Sequence, residues 1–107
     1  MQKRRGVILV MYDLPVKTTD NRKMSEKFRK YLINHGYVFM QKSIYVKLFR
    51  NKDSMKQDIL LLREEVPKDG TVNVLPMNLE DFKKMMTILG KPFNMSLFSD
   101  DIIFFNE

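Results

Sequence analysis

No cysteine occurs among the 107 residues of this chain. That excludes a disulfide framework, a thiolate metal site and a cysteine nucleophile, and it fits a reducing compartment such as the cytosol. Histidine is almost as scarce: His35 is the single one, which excludes a metal site built on a histidine pair. Four glycines, widely scattered, cannot make a glycine-rich phosphate loop. Long apolar runs are missing too. None approaches the roughly 20 residues needed to span a bilayer, so neither a transmembrane helix nor a membrane partner is expected. The opening MQKRRGVILVMY has basic residues followed by apolar ones, as in a signal peptide, but its run is short. It ends in Tyr-Asp-Leu-Pro in place of a small-residue cleavage site, and so reads as the first strand of the mature protein.

What is present suits one soluble globular domain over residues 1–107, with 44% hydrophobic and 30% charged residues. The formal charge of +6 favours a polyanionic partner, either nucleic acid or an acidic surface. Residues 6–13 read as a strand that is apolar at nearly every position and therefore buried on both faces. Leu14-Pro15 stops it, because proline has no N–H to give a ladder. Thr19 or Asp20 then caps a helix that ends at Gly36, with Met24, Phe28, Tyr31, Leu32 and His35 on one face. The stretch YVFMQKSIYVKLF, residues 37–49, is rich in aromatic and β-branched types and long for one strand. It divides near Gln41-Lys42-Ser43 into two, or else forms one bent strand. Asp53 or Ser54 caps a second helix carrying Met55, Ile59, Leu62 and Val66, a strand follows from Thr71 to Met77, and Asn78 caps a short helix from Leu79 to about Leu89. A last strand lies around Ile102 to Phe105.

The order is that of an α+β, ferredoxin-like βαββαβ domain with an extra C-terminal strand. Both helices of that arrangement cover one face of the sheet, which leaves the other face of Val7 to Met11 bare within a single chain. A second sheet is expected to cover it, giving a homodimer packed sheet to sheet about a two-fold axis.

Asp13 is the leading chemical candidate. It stands at the carboxyl end of the first strand, where open α/β layers bind ligands. A hard cation such as Mg²⁺ needs only one or two protein carboxylates when phosphate and water complete its shell, and a dimer supplies one Asp13 from each chain. An aspartate before a proline turn also serves as a plain backbone acceptor. A second feature is charge: Lys17, Arg22, Lys23, Lys27, Arg29 and Lys30, with Lys3, Arg4 and Arg5, gather around the first strand, loop and helix. They form either a phosphate-tracking face or a solvated helix surface tempered by Glu26. His35 reads as a helix-end residue, Asp100-Asp101 as a polar turn and Ser43 as a serine without a basic partner. The nine methionines read mainly as core filling.

The apolar strand ending VMYDLP, the basic helix with FRKYLINHGY and the segment FMQKSIYVKLF occur in one order and spacing across essentially the whole chain. In these pieces, above all Tyr12-Asp13 and Gln41-x-Ser43-x-Tyr45, the chain resembles the CRISPR-associated adaptation endonuclease family, the small partner of the CRISPR integrase. The resemblance implies a homodimer in which Asp13 binds Mg²⁺ and serves as the nuclease carboxylate, acting on single-stranded RNA or double-stranded DNA. It also implies a scaffold role, the dimer bridging integrase dimers while its basic surface holds the duplex of the incoming DNA. Some relatives carry an arginine where this chain has Phe39, so Asp13 alone carries over as a catalytic residue. Two rivals stand beside this reading: a DNA-binding scaffold with no nuclease role on the same fold, and a small-ligand regulatory module of ferredoxin-like shape.

Overall fold

The computed structural model describes residues 5–98. Strand β1 (Gly6–Asp13) is followed by helix α1 (Thr19–Asn34), strands β2 (Val38–Gln41) and β3 (Ile44–Phe49), helix α2 (Lys52–Glu65) and strand β4 (Thr71–Asn78). A short helix α3 (Leu79–Lys83) and a 3₁₀ turn (Met95–Leu97) complete the described chain. The four strands form one sheet in the order β2-β3-β1-β4 with every neighbour antiparallel, the expected ferredoxin-like arrangement. The strand expected near Ile102 and the turn expected at Asp100-Asp101 lie outside the described residues.

Local chemistry sets the boundaries. The Thr18 hydroxyl accepts from the Asn21 N–H at 3.0 Å, so α1 is capped one residue before the predicted Thr19 or Asp20, and Asp20 falls in the first turn, where its charge opposes the helix dipole. Asn51 does the same for α2 through the Ser54 N–H, displacing the predicted Asp53 or Ser54 cap. At the end of α1, Gly36 adopts φ +89°, while its N–H and that of Tyr37 donate to the carbonyls of Ile33 and Leu32. This double closure requires the left-handed residue that glycine supplies. Between β2 and β3 the chain does turn, at Lys42-Ser43, although no glycine, proline, asparagine or aspartate is present. Ser43 itself takes φ +62°, and a bulge falls between Phe39 and Gln41. Helix α3 ends at Lys83, not near Leu89. Leu79 and Phe82 are its buried residues, whereas Met86, Ile88 and Leu89 are 81%, 89% and 94% exposed. A short helix persists only where packing supports it.

The alternation of β1 splits the core in two. Ile8 and Val10 face α1 and α2 and pack with Phe28, Leu32, Tyr45, Phe49, Met55 and Leu62. Val7 and Leu9 point the other way, and here the expectation of a bare face is corrected: they are 0% and 9% exposed within one chain. Leu79, Phe82 and Phe98 lie over them, with Phe93 and Met95 packed alongside. Phe82, Phe93 and Phe98 hold their ring centroids 5.2–5.9 Å apart. Phe93 and Phe98, which complete this cover, lie between the predicted α3 helix and the predicted last strand, where no periodic pattern marks them. The cover stops short of the strand's far end, where Met11 and Ile44 are half-buried and Leu75 is 45% exposed. The methionines divide likewise: Met55 is core and Met40, Met77 and Met95 pack at its margin, but Met24, Met85 and Met86 are exposed.

One polar tie crosses between layers. The Tyr37 hydroxyl donates to Asp58 at 2.6 Å, and Lys47 Nζ reaches the other carboxylate oxygen at 3.4 Å while standing 5.4 Å and 4.9 Å from the ring centroids of Tyr37 and Phe49. Burial, then the bond to Asp58, raises the Tyr37 phenol above its ordinary value of 10.0. The folded chain therefore keeps this proton where the unfolded chain releases it, so the contribution is whole below pH about 10 and is lost above it. Tyr37→Phe should cost about 1–2 kcal/mol at neutral pH and make the alkaline loss of stability shallower, as read by urea unfolding from pH 7 to 11. Phe82→Ala should cost about 3–5 kcal/mol in the same assay and expose Val7 and Leu9, with faster amide exchange along the first half of β1.

Candidate active site

Asp13 owes its position to the strand before it. Tyr12 packs into the helix-side core, so the next side chain emerges on the opposite face, in line with Val7, Leu9 and Met11 and directly across from Thr71 of β4. Its carboxylate is exposed and makes no hydrogen bond or ion pair with any described residue. The backbone beneath it is fixed. The Tyr12 N–H donates to the Ser43 carbonyl at 3.0 Å, which joins the Gln-x-Ser turn to the end of β1. Gly70, at φ +98°, lies so close that a β-carbon there would stand 2.7 Å from the Asp13 carbonyl oxygen and 3.1 Å from the Leu14 Cα. Asp13 is thus an open carboxylate on a tightly held main chain.

Behind it, on the helix side, Tyr12 meets Phe28 edge-on at 5.3 Å and stacks with Tyr45 at 6.2 Å. Burial, then Tyr45, raises the Tyr12 phenol, so it stays a neutral donor at physiological pH. Glu26 and Arg29 close this cluster. Arg29 Nε donates to Glu26 Oε1 at 3.0 Å and its Nη2 pairs with Oε2, a fork-to-carboxylate grip. The grip lowers the Glu26 carboxyl and raises the guanidinium further above its ordinary value.

The six basic candidates therefore part company. Arg29 is committed to Glu26. Arg22 is committed to its own loop: Nη1 donates to the Val16 carbonyl at 3.1 Å, and Nη2 to the Thr19 hydroxyl at 3.3 Å. Lys17, Lys23, Lys27 and Lys30 are exposed and have no acidic partner among the described residues. Lys23, Lys27 and Lys30 recur at intervals of four and three, one stripe about 10 Å long on the outer side of α1. With Arg22, Tyr31 and Asn34 they line a shallow groove of about 750 Å³. This groove and Asp13 lie on opposite sides of the sheet, and the structure does not bring them together. His35 is a helix-end residue: its Nδ1 donates to the Tyr31 carbonyl at 2.8 Å and its ring stacks on Tyr31 at 4.0 Å.

The family described as "CRISPR associated protein Cas2" matches residues 7–85, the span from β1 through α3. The chain belongs to the Cas2 family. A protein of Treponema denticola named CRISPR-associated endoribonuclease Cas2 is 37% identical over 84 residues, covering 78% of this chain and 83% of its own. Proteins of the same name from Ligilactobacillus salivarius and Streptococcus mutans are 36% and 33% identical, again over 78% of this chain and over 83% and 78% of theirs. Asp13, the stripe on α1 and the Ser43 turn fall inside the Cas2 match, whereas Phe93 and Phe98, which cover Val7 and Leu9, lie beyond it.

Among the described residues no group of three or more carboxylate or imidazole side chains is placed to hold a metal ion. A lone exposed carboxylate on a rigid strand end still suits Mg²⁺, which retains most of its waters and takes only one or two carboxylates. Asp13 is the residue that would hold it. Gly70→Ala should cost about 1–3 kcal/mol through the strained φ and the approach to the Asp13 carbonyl. Its amide spectrum should show displacement centred on Asp13 and Leu14, with β3 little changed.

Proposed function

We propose that this Cas2-family chain acts in CRISPR adaptation as a homodimeric, Mg²⁺-dependent endonuclease on RNA or double-stranded DNA, in the cytoplasm, and that the dimer bridges integrase dimers on the incoming DNA. The observation that carries the reading is the exposed Asp13 carboxylate, unpartnered among the described residues, on the sheet face opposite α1 and α2, at the end that the α3 cover does not reach. Met11, Ile44 and Leu75 make the apolar margin of that face, and a sheet laid against it about a two-fold axis would bring the Asp13 residues of two chains towards one another. The similar proteins of Treponema denticola, Ligilactobacillus salivarius and Streptococcus mutans are named endoribonucleases, and Asp13 would give that activity a chemical basis here.

Asp13 would supply the carboxylate oxygens for Mg²⁺. When bound, Mg²⁺ offsets charge on a phosphodiester and makes a neighbouring water more acidic. Lys17, projecting from the loop four residues after Asp13, would meet phosphate near the strand end. The α1 stripe contacts backbone without reading bases, which suits substrates of any sequence.

A second reading, a non-catalytic duplex-binding scaffold, is favoured by one specific observation. The lysine stripe Lys23, Lys27 and Lys30 lies on the far side of the sheet from Asp13, so duplex held there need not reach the carboxylate.

One comparison separates the two. Wild type and Asp13→Asn are mixed with labelled single-stranded RNA and duplex DNA, with Mg²⁺ or with EDTA. The nuclease reading expects cleavage only with Mg²⁺, a loss of roughly a hundredfold or more on substitution, and an unchanged dimer by native mass. A stable monomer, or cleavage that survives the substitution, overturns it. If neither protein cuts but both bind duplex without regard to EDTA, the scaffold reading stands. The joint change Lys23→Gln, Lys27→Gln, Lys30→Gln should then reduce the slope of log affinity against log salt by about 2.7.

A further inference from the structure

The lysine row on α1 runs into an aromatic step. Tyr31 and His35 line the same shallow groove as Lys23, Lys27 and Lys30, at its end towards the C-terminus of the helix. From Lys23 to His35 the helix rises about 18 Å, enough for a few nucleotides of an extended strand. The imidazole lies on the Tyr31 ring with centroids 4.0 Å apart and 27° between the planes. Its orientation is held, because Nδ1 donates to the Tyr31 carbonyl at 2.8 Å and the ring cannot turn without losing that bond. His35 is exposed although one face rests on Tyr31, so the exposure belongs to the opposite face and the Nε2 edge. A flat ring of fixed orientation thus stands open beside a row of cations that have no acidic partner among the described residues.

Charge divides the groove across its width. The lysines hold the outer side. On the α2 side the neighbours of Tyr31 are acidic: burial, then the charges of Asp58 and Glu65, raise its phenol, and Glu65 also lines the groove. A phosphate is therefore drawn to the lysines and repelled from the α2 side, where an uncharged ring resting on the aromatic pair is the better fit. The bases of a duplex are already stacked on one another, so an open ring offers them nothing along the length of the helix. An unpaired base of any kind has a free π face to lay on it.

We propose that the α1 groove holds a single strand of nucleic acid, one unpaired base stacked on the open face of His35 and the adjoining phosphates on Lys23, Lys27 and Lys30. The proposal rests on the reading of α1 as a backbone-contacting surface and names the strand, not the duplex, as its occupant. Stacking uses the face of a base and not its hydrogen-bonding edge, so the site accepts any sequence. It is independent of any role of Asp13.

His35 is the single histidine of the chain, so its imidazole Hε1 proton gives one isolated signal. The full chain is titrated with a short oligoadenylate, with the same strand annealed to its complement, and with tripolyphosphate, which carries the charge without the bases. The single strand should move the Hε1 signal upfield, saturably, through the ring current of the stacked base, while duplex and tripolyphosphate leave it nearly in place. His35→Ala should weaken single-strand binding about fivefold or more, and His35→Phe, which keeps a ring there, should restore it to within about twofold. Neither should change duplex affinity by more than about twofold. No upfield shift with the single strand, an equal shift with duplex or tripolyphosphate, undiminished binding by His35→Ala, or no rescue by His35→Phe would each overturn the proposal. The joint change Lys23→Gln, Lys27→Gln, Lys30→Gln separates this failure from failure of the backbone reading. If that variant loses single-strand affinity while the wild-type Hε1 signal never moves, the backbone reading stands and the stacking site falls; if it binds as tightly as wild type, both fall. A deoxy strand of the same sequence distinguishes RNA from DNA as the occupant.

Discussion

Everything in this molecule depends on covering both faces of β1. A central strand that reads Val-Ile-Leu-Val has no polar side to give to water, and each of those side chains left exposed would forgo about 1.5–3 kcal/mol of burial. The βαββαβ path answers half of the demand, because α1 and α2 both fall on one face. The other half is met by material that follows the repeat: α3, the 3₁₀ turn and three phenylalanines whose rings meet over Val7 and Leu9. The appended segment is therefore a structural part of the domain, although the family match ends before Phe93.

That cover is uneven along the strand, and the unevenness makes the site. It is thick at Val7, ends past Leu9, and leaves Met11, Ile44, Leu75 and finally Asp13 at the open end. A carboxylate could not sit at the other end of the same face without being buried and unpaired, which costs far more than a surface position. Alternation also separates the neighbours Tyr12 and Asp13. The tyrosine belongs to the core with Phe28 and Tyr45, and this anchors the backbone from which the aspartate projects. The carboxylate at the end of this apolar strand lies where the burial requirement of the strand runs out.

Patterns of period 2 and 3.6 were enough to read the element order, the paired helices and the position of Asp13 in the sequence. The split at Ser43 was readable from strand length even though the turn carries no favoured turn residue. The cover on the second face was not readable. Phe82, Phe93 and Phe98 have no periodic relation to one another or to Val7, and only tertiary proximity joins them. Helix α3 was overextended for a related reason, since Met85 to Leu89 look apolar enough to continue it but have no surface to pack on.

The division of labour between arginine and lysine on the α1 side follows from side-chain chemistry. A guanidinium is a planar fork that satisfies several fixed acceptors at once, and here Arg22 ties Val16 to Thr19 while Arg29 grips Glu26. Both hold the loop and helix in shape, so counting them among mobile phosphate contacts would overstate the basic face by a third of the six residues first considered. Lysine is a point charge on a flexible stem, well suited to a phosphate whose position shifts from one sequence to the next. Lys23, Lys27 and Lys30 form no ion pair with either acidic residue of the groove, Glu26 or Glu65, among the described residues, and Glu26 is already gripped by Arg29. The ion pair thus acts at one remove on the electrostatics of the helix surface: by engaging Glu26 it leaves the neighbouring lysine stripe more of its positive charge for a phosphate.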